Sequence, residues 1–532
     1  MPPDCEPAAN RCSTPMFDSL PASPTADSPD NRRLVYGYAF TVFLSSALLL
    51  VLEIVAGRLV APYVGVSLYT WTSIIGVILA GLSLGNWVGG IWADRGGSGR
   101  SVGLVLAAGG IYCLLSLAIL DDLGAALQSR EVTLLAASFV FAAVLFFVPA
   151  ALIGVVAPLL TTLALRLDRR PGHVVGRMHA LAAIGSIAGT FATGYWLVQV
   201  MGTRNLVLGT GLLLLGLALP YLRRAGRSTQ ALILVVAVAA GGLTVLRHGL
   251  ATSCERESAY FCIRVVDQSD IAPFGEARGL VLDHLLHGIN QRELPEMLIA
   301  PYVHGLDELA YAHFGRTYDD GLRWFFAGGG AYSQPRALQT LSPASDITVA
   351  ELDPQVTRTA VERLFLRPEG LHIQHRDARL ALRAATEPFD VVVGDVFHDV
   401  AIPFHLVTRE FAALLRTRLT PNGLYLMNVV DAFPDPRLIK AIVKTLQTEF
   451  AHVDLWMDGV PKAERVTFII SASNGTRLPK TVTARNGFER TWARMTEDLM
   501  AFGTPPDQLA GLTDDYAPVE RLIAKLLVGE AQ

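Results

Sequence analysis

Long apolar runs constrain the fold of this chain more than any other feature. Seven of them follow one another in the first half, each near the roughly 20 residues that a helix needs to cross a bilayer: 34–56, 71–93, 103–120, 132–165, 177–200, 205–222 and 230–247. The composition agrees, because 51% of the residues are apolar and only 17% are charged, which is more apolar than a soluble enzyme requires. We therefore predict a multi-span α-helical membrane domain over residues 34–250, with the lipid bilayer of the cell (inner) membrane as its surroundings.

Two stretches of this half depart from a simple span. Residues 1–33 are rich in Pro, Ser and Asp, and cannot bury enough apolar surface to become ordered. We expect a disordered N-terminal tail there. The fourth run is longer than one span and contains Pro149 and Pro158, so it is either one kinked helix or a helix followed by a re-entrant piece.

The arginines indicate how the helices are oriented. With seven spans, eleven arginines fall on the side of the N-terminal tail and four on the other side. Positively charged loops are favoured on the cytoplasmic side, so the tail is predicted to be cytoplasmic. Because seven is odd, everything after residue 250 is then expected outside; an eighth span would reverse this, and the side stays open at this point.

Small and charged residues inside the spans predict how the helices pack. Gly81, Gly85 and Gly89 recur every four residues and line one helix face, which permits the backbone of a neighbour to come close. We interpret this repeat as packing rather than as a pore. Glu53 is a carboxyl well inside the first span, and it either pairs with Arg58 near the helix end or marks a polar site.

The cysteines exclude a disulfide-rich scaffold. The chain has five, and none forms a CxxC pair with metal-ligand spacing, so we expect no metal site. Cys254 and Cys262 lie eight residues apart just after the last apolar run. They could form one disulfide if this region lies outside the cytoplasm, or they could be two unrelated thiols.

After residue 250 the sequence changes to short β-like runs alternating with amphipathic stretches, which is typical of an α/β fold. We predict a small β element with a segment through which substrate enters over 251–320, and an α/β domain over 321–532. This half carries a net charge of −9, so no basic patch favours nucleic acid as a partner.

The stretch LRWFFAGGG indicates a nucleotide-binding βα unit. A buried strand runs into Gly328, Gly329 and Gly330, and a helix follows from Pro335, an order in which glycines let the backbone approach a ligand. The next strand, ITVAEL, ends at Glu351 and Asp353, where a ribose would present its hydroxyls. The spacing therefore predicts a Rossmann-like nucleoside site.

Two further strands end in acids. LHIQHRDAR ends near Asp377, placed where a carboxylate could accept a hydrogen bond from an adenine amino group, and FDVVVGDVF ends in Asp395. Because ligands bind outside the carboxyl ends of the strands in an open α/β sheet, all these groups are expected on one rim. The alternative is that each acid merely caps the following helix.

The end of the chain separates two classes of α/β enzyme. A helix followed by two late adjacent strands, near 452–457 and 465–471, suggests the extra antiparallel strand of S-adenosylmethionine-dependent transferases. A dehydrogenase normally shows GxGxxG and continues in parallel, whereas this chain has GGGxxxxxR. We therefore predict a methyltransferase-type domain.

With these motifs in place, the chain resembles the bacterial membrane-fused, spermidine synthase-like (polyamine aminopropyltransferase) family. The matching stretches include LVLEIVAGRLVAPYVGVSLYTW and GRMHALAAIGSIAGT in the membrane half, then LVLDHLLHG, GGGAYSQPR, AELDP, RDAR, GDVFHDVAIPFHLVTREF and LTDDYAP. They span nearly everything from residue 45 to 520. The resemblance implies a spermidine synthase-like domain that transfers a propylamine group from decarboxylated S-adenosylmethionine to a polyamine such as putrescine.

The resemblance also implies roles for the rim residues. Gly328, Gly329 and Gly330 would approach the ribose and tail of decarboxylated or intact S-adenosylmethionine, Glu351, with Asp353 nearby, would hold the ribose, and Asp377 would read the adenine. Asp395 would be the catalytic base that deprotonates the amine. The residues implied to bind the amine substrate are Asp283, Glu296, His398 and Asp399. Family members commonly form homodimers, so the resemblance implies a homodimer here as well.

The acceptor half departs from the family pattern. A second aspartate normally follows the base by three residues, whereas Asp399 comes one position late. The tyrosine and histidine around the Glu-Met pair are absent, since Pro295 precedes Glu296 and Ala300 stands at the histidine position. Two alternatives therefore stay open: transfer of another group to another amine, or a non-catalytic polyamine- or nucleoside-binding transport or sensing membrane protein.

Overall fold

The computed structural model describes residues 29–129, 132–168, 170–223, 225–397, 401–459 and 463–528. Within them the first half of the chain is helical and the second half is α/β. Residues 1–28 of the predicted tail lie outside the described residues, as do His398 and Asp399.

Seven long apolar helices make up the first half, each long enough to cross a membrane. They are α1 (Pro29–Val64), α2 (Leu68–Asp94), α3 (Gly99–Gln128), α4 (Leu134–Leu165), α5 (Pro171–Met201), α6 (Thr203–Leu222) and α7 (Arg227–Leu246). The predicted number of long apolar helices is therefore confirmed, and their position in a membrane stays a prediction. The first helix begins at Pro29, inside the stretch expected as tail, because proline is favoured in the first turn of a helix, where its missing amide needs no partner.

The long fourth run is one helix. It continues from Leu134 to Leu165 and passes through a π-helical stretch at Ala143–Phe147, directly before Pro149. A proline removes an amide donor and displaces the carbonyl four residues earlier, and a wider turn accommodates both effects. Of the two alternatives, the continuous helix is therefore correct.

The glycine repeat serves helix packing, as predicted. A Cβ on Gly85 would lie 2.0 Å from the carbonyl oxygen of Ala151, so α2 and α4 approach too closely for any side chain there. Gly189 has the same relation to Ala47 of α1, at 2.3 Å from its carbonyl oxygen. Small residues thus replace side-chain packing by backbone contact between helices.

The expected pair of Glu53 with Arg58 does not form. Arg58 donates instead to the backbone carbonyls of Ser258 and Ala259, which follow the last long apolar helix. The sequence could not show this, since both carbonyls belong to a loop that the fold brings to the end of α1. Among the described residues Glu53 has no ion-pair or hydrogen-bond partner.

The α/β half contacts the first half of the chain at those helix ends that carry few arginines. Besides Arg58, the amide of Leu68 donates to the Oε2 of Glu520 at 2.8 Å, and the amide of Thr203 donates to the Oε2 of Glu257 at 2.9 Å. Leu68 and Thr203 begin α2 and α6, at the end opposite most of the arginines. Cys254 and Cys262 are joined by a disulfide beside this junction. Both features agree with an extracytoplasmic position, which stays a prediction.

This orientation predicts a labelling pattern in intact cells. After treatment with an impermeant reductant, a charged maleimide is expected to label Cys254 and Cys262, because both lie on the outer side. Cys5 and Cys12 precede the first helix and serve as the internal control, since an odd number of spans places them on the other side. Peptide mapping should find them labelled only after permeabilisation. Labelling of the tail cysteines alone in intact cells would refute the orientation.

A small antiparallel sheet follows the membrane helices. Its strands, in the spatial order 1-2-3-4, are β1 (Arg256–Glu257), β2 (Cys262–Asp267), β3 (Ala277–Leu282) and β4 (Leu285–Gln291). The sheet leads into α8 (Pro301–Phe314) and the short α9 (Arg316–Asp319). The predicted β element before the main sheet is therefore present.

The main sheet has nine strands, in the order 12-13-10-11-9-8-5-6-7. They are β5 (Arg323–Ala327), β6 (Asp346–Ala350), β7 (Leu371–Gln374), β8 (Phe389–Gly394), β9 (Leu419–Ala432), β10 (His452–Asp458), β11 (Arg465–Ser473), β12 (Thr481–Thr483) and β13 (Thr491–Arg494). Strands β5 to β9 pair in parallel, and β11 inserts antiparallel between β9 and β10. The predicted extra antiparallel strand is confirmed.

Helices cover this sheet, and the order of its strands creates the site. They are α10 (Ser333–Leu341), α11 (Pro354–Arg363), α12 (Ala378–Ala384), α13 (Arg409–Arg418), α14 (Arg437–Leu446), α15 (Thr496–Ala501), α16 (Val519–Leu522) and α17 (Ala524–Val528). The chain leaves β5 in one direction toward β6 and β7 and later returns to its other side as β8. Such a reversal opens a crevice at the carboxyl ends of the two strands.

Candidate active site

The three glycines form the turn directly after β5. Gly328 has φ +90° and Gly330 has φ +50°, both in the region that favours glycine. A Cβ at Gly328 would lie 2.4 Å from the carbonyl oxygen of Asp395 at the end of β8. The turn therefore needs glycine here because it lies directly against the backbone of the neighbouring strand.

Glu351 joins the end of β6 to this turn. Its Oε2 accepts from the amide of Gly329 at 2.8 Å and from that of Gly330 at 3.4 Å, and its Oε1 accepts from the amide of Asp353 at 2.9 Å. Burial raises the pKa of the Glu351 carboxyl, against these amide hydrogen bonds, which favour the ionised form. Glycine turn and carboxylate thus form one unit at the predicted rim.

Asp395 lies at the other side of the glycine turn. The Nδ2 of Asn428, on β9, donates to its Oδ1 at 2.9 Å, and the hydroxyl of Tyr302, on α8, donates to its Oδ2 at 3.3 Å. Burial raises the pKa of Asp395 to about 6, and the two hydrogen bonds limit this rise. A carboxyl with a pKa near 6 is largely ionised at neutral pH and can still accept a proton.

Two cavities meet at Asp395. The larger, about 230 Å³, extends between β4, α8, β9 and β11, and Asn428, Val430 and Thr467 are part of its wall. The smaller, about 20 Å³, lies under the glycine turn beside Gly328, Gly329 and Gln334. Both cavities are lined by His287, Tyr302 and Asp395. Asp395 therefore lines both cavities, and the smaller one lies beside the turn.

The sequence interpretation missed several of these lining residues. Tyr302 is the second residue of α8, and its hydroxyl also lies 3.2 Å from the carbonyl oxygen of His287. Burial, with the nearby charge of Arg465 and the His284 ring, lowers the pKa of His287 to about 4, so the ring is neutral at physiological pH. The sequence does indicate a special role for Asn428, because it is a polar residue within the otherwise apolar strand LYLMNVV and a buried polar group needs a partner.

Gln334 is the least expected member of the site. Its side chain is buried, lines the smaller cavity, and neither amide atom has a hydrogen-bond partner. Nearby, Ala331 is buried and offers no polar side chain, and the hydroxyl of Tyr332 lies 2.7 Å from the Oγ1 of Thr357. An unpartnered buried amide can both donate to and accept from a ligand.

Asp377 and Asp353 lie at their predicted strand ends, each as a helix cap. The Oδ1 of Asp377 accepts from the amide of Leu380 at 2.9 Å. Its Oδ2 lies 2.8 Å from the Nε2 of His405, a contact that the sequence analysis did not predict. Asp353 is 1% exposed and caps α11. Its carboxylate also accepts a hydrogen bond from the hydroxyl of Ser258, in the small β element. Neither carboxylate lines the two cavities at Asp395, and their roles toward a donor stay predictions.

Two of the predicted acceptor residues, Asp283 and Glu296, line neither of the cavities at Asp395. Asp283 has φ +53° in the tight turn between β3 and β4, is buried, and accepts from the amide of Cys262 at 2.9 Å. Glu296 is half-buried ahead of α8, with one oxygen buried and without a hydrogen-bond partner. Neither lines the larger cavity. His398 and Asp399 follow Phe397, which does line it, but they lie outside the described residues.

The described residues contain no group of three or more His, Cys, Asp or Glu side chains arranged to hold a metal ion.

Comparison with known proteins finds relatives named as polyamine aminopropyltransferases. No protein-family model matches the chain. A probable polyamine aminopropyl transferase of Bifidobacterium longum is 29% identical over 213 residues, which are 37% of this chain and 47% of the relative. This chain thus spans about half the length of that relative.

A second relative extends over both halves. Polyamine aminopropyltransferase 1 of Streptomyces coelicolor is 24% identical over 502 residues, covering 88% of this chain and 89% of the relative. A match of that extent necessarily includes most of the helical half. Among solved structures, a probable spermidine synthase from Corynebacterium glutamicum is 21% identical with a TM-score of 0.43, covering 51% of this chain and 99% of the other.

Proposed function

We propose that this chain, a spermidine synthase-like protein, is a multi-pass protein of the cell (inner) membrane that transfers the aminopropyl group of decarboxylated S-adenosylmethionine to a polyamine such as putrescine. The observation that carries the proposal is the position of Asp395 between the glycine-turn cavity and the larger cavity. The names of the two curated relatives support the reaction class.

The reaction asks little of the protein beyond position and one base. The amine nitrogen forms a bond to the propyl carbon attached to sulfur, the carbon–sulfur bond breaks, and its electron pair leaves with methylthioadenosine. The amine must be neutral to attack, so its extra proton passes to the Asp395 carboxylate. Holding both partners in line contributes the rest of the acceleration.

The donor side is supported by the glycine turn and its acids. In this proposal the turn approaches the ribose and tail, Glu351 accepts from the ribose hydroxyls, and Asp377 accepts from the adenine amino group. The Oε1 of Gln334 would accept from the ammonium of the aminopropyl tail, since Ala331 offers no carboxylate there. The homodimer expected from the family stays a prediction.

The acceptor side is the larger cavity. Tyr302 and Asn428 hold the carboxylate of Asp395 by both oxygens, which aims it at one place. Leu285, Val430 and Phe397 give the wall an apolar part that suits the methylene chain of a polyamine. His398 and Asp399, next along the chain, stay candidates for the distal amine.

A second candidate is transfer from intact S-adenosylmethionine. Gln334 favours it, because a neutral amide with a free donor and a free acceptor can bind the ammonium and the carboxylate of the intact tail together. An acid at Ala331 would repel that carboxylate, and this chain has none.

Calorimetry of the full-length protein separates these proposals. We expect decarboxylated S-adenosylmethionine and methylthioadenosine to bind with micromolar affinity, and product analysis with putrescine to show spermidine and methylthioadenosine in equal amounts. Tight binding of the intact donor, with rejection of the decarboxylated one, would favour the second candidate. Failure of all three nucleosides to bind at millimolar concentration would refute both enzymatic proposals.

A further inference from the structure

A third and larger cavity lies away from the rim, in the helical half. It measures about 820 Å³ and is bounded by α1, α3, α4 and α6 at their arginine-rich ends. This volume falls in the range of about 300–1,000 Å³ that is usual for sites of small organic ligands. Most of its wall is apolar, contributed by Leu34, Phe40, Leu44, Leu163, Leu213 and Leu217.

The mouth of this cavity is cationic. Arg33, Arg100 and Arg166 line it, and the described residues offer no carboxylate within ion-pair distance of any of the three. Arg100 donates once, to the Oγ1 of Thr229 at 3.2 Å, and Arg166 makes two long contacts of 3.4 Å to backbone carbonyls. Each guanidinium has five N–H donors, so most of them are available to an anion.

The cavity has the shape of an amphiphile with one charged end. Arg33 marks its mouth and Leu44 its deeper part, and eleven residues of helix correspond to about 16 Å. Phe40 and Leu213 are 58% and 50% exposed, so the wall is open on the side that faces lipid. Gly37 and Gly216 enlarge the space, because a Cβ on either would meet no atom within 4 Å.

We propose that this cavity binds an anionic phospholipid from the leaflet on the arginine-rich side. The phosphate lies among the three guanidinium groups, and an acyl chain extends along the leucines of α1 and α6. Guanidinium groups bind phosphate by paired, charge-assisted hydrogen bonds, and basic pockets between membrane helices are known to take lipid headgroups. The inference requires the helices to span a bilayer and is independent of the chemistry at Asp395.

Titration with a short-chain fluorescent phosphatidylglycerol in detergent tests the site. We expect saturable binding to the full-length protein and at least tenfold weaker binding after the triple substitution Arg33→Gln, Arg100→Gln, Arg166→Gln. The matched control is Arg95→Gln, Arg223→Gln, Arg227→Gln, which removes three exposed arginines at the same end that do not line the cavity. The control should bind within about twofold of the unmodified protein.

A cavity-filling variant separates shape from charge. Gly37→Leu with Gly216→Leu keeps every arginine and should also weaken binding at least tenfold, because the added side chains occupy the path of the acyl chain. Unchanged binding in either cavity variant, or equal loss in the control, would overturn the proposal.

Two further ligands identify the source of the anion. Glycerol phosphate carries the headgroup charge without a chain, and phosphatidylcholine carries the chains without net charge. Neither should compete with the probe at tenfold excess. Effective competition by glycerol phosphate would mean a soluble-anion site, and effective competition by phosphatidylcholine would mean ordinary lipid contact; both results contradict the proposal.

Discussion

Replacing Asp395 by asparagine is expected to lower kcat by about 10²–10⁴-fold, the usual contribution of a positioned general base. The amide has nearly the same shape and can still accept from Asn428, but it cannot take a proton from the amine. Donor affinity should stay within about threefold. Steady-state kinetics with calorimetry of donor binding would measure both quantities. Asp346→Asn, an exposed acid at the opposite end of the sheet, is the control and should leave kcat unchanged.

The pKa of Asp395 adds a pH dependence to this prediction. Below about pH 6 the carboxyl is protonated and cannot act as a base, so kcat/KM should fall about tenfold per pH unit there. The same raised pKa means that the folded protein prefers the neutral acid, and stability is lost as pH rises toward 6. At neutral pH the ionised carboxylate costs at most about 3 kcal/mol. Asp395→Asn should therefore raise Tm at pH 7.5 and have little effect on it at pH 4. Full activity of the variant, or a flat pH profile in the unmodified protein, would remove Asp395 from the role of base.

Glu351→Gln is expected to weaken donor binding about 10–100-fold with kcat at saturation changed less than about threefold. Hydrogen bonds to a charged group contribute about 1.5–3 kcal/mol, and glutamine loses both the charge and one acceptor oxygen. In the glutamine variant, one of the two side-chain oxygens becomes an NH2 group. This group would face the backbone N–H of either Gly329 or Asp353, so two donors would point at each other where a hydrogen bond now forms.

The measurement for this variant is the dissociation constant of methylthioadenosine, which lacks the reactive tail. Glu362→Gln, on the exposed surface of α11, removes an acid from the helix after the same strand and should leave that constant unchanged. An unaltered constant in Glu351→Gln would exclude Glu351 from the nucleoside site. Together with Asp395→Asn, the variant separates binding from chemistry, because each is expected to change only one of them.

The membrane half and the rim could be predicted because each rests on a local pattern. A run of some 20 apolar residues, or GGG after a buried strand, specifies its structure without reference to distant residues. The antiparallel β11 was predictable for the same reason, since two strands follow one helix at the end of the chain. The π-helical stretch before Pro149 decided the form of α4, and only the packed structure could show that the helix continues through it.

The acceptor side could not be predicted because it depends on tertiary placement. Tyr302, His287 and Asn428 come from α8, β4 and β9, which are far apart in sequence and meet only when the small sheet packs on the main one. Asp283 shows a second dependence on tertiary placement. Its carboxylate lies in a turn with positive φ and accepts from the Cys262 amide, which the linear sequence does not indicate, and its role toward the amine stays a prediction.

The contact between Gly328 and the carbonyl of Asp395 has a consequence for how such a protein can change over time. Because the two backbones touch, the glycine turn and Asp395 are positioned together, and a substitution that shifts one also shifts the other. Tyr302 of α8 and Asn428 of β9 contact the Asp395 carboxylate through their side chains. Under the proposed function, exchange of side chains on this wall would change which amine is accepted, while the turn and the base keep their relative position.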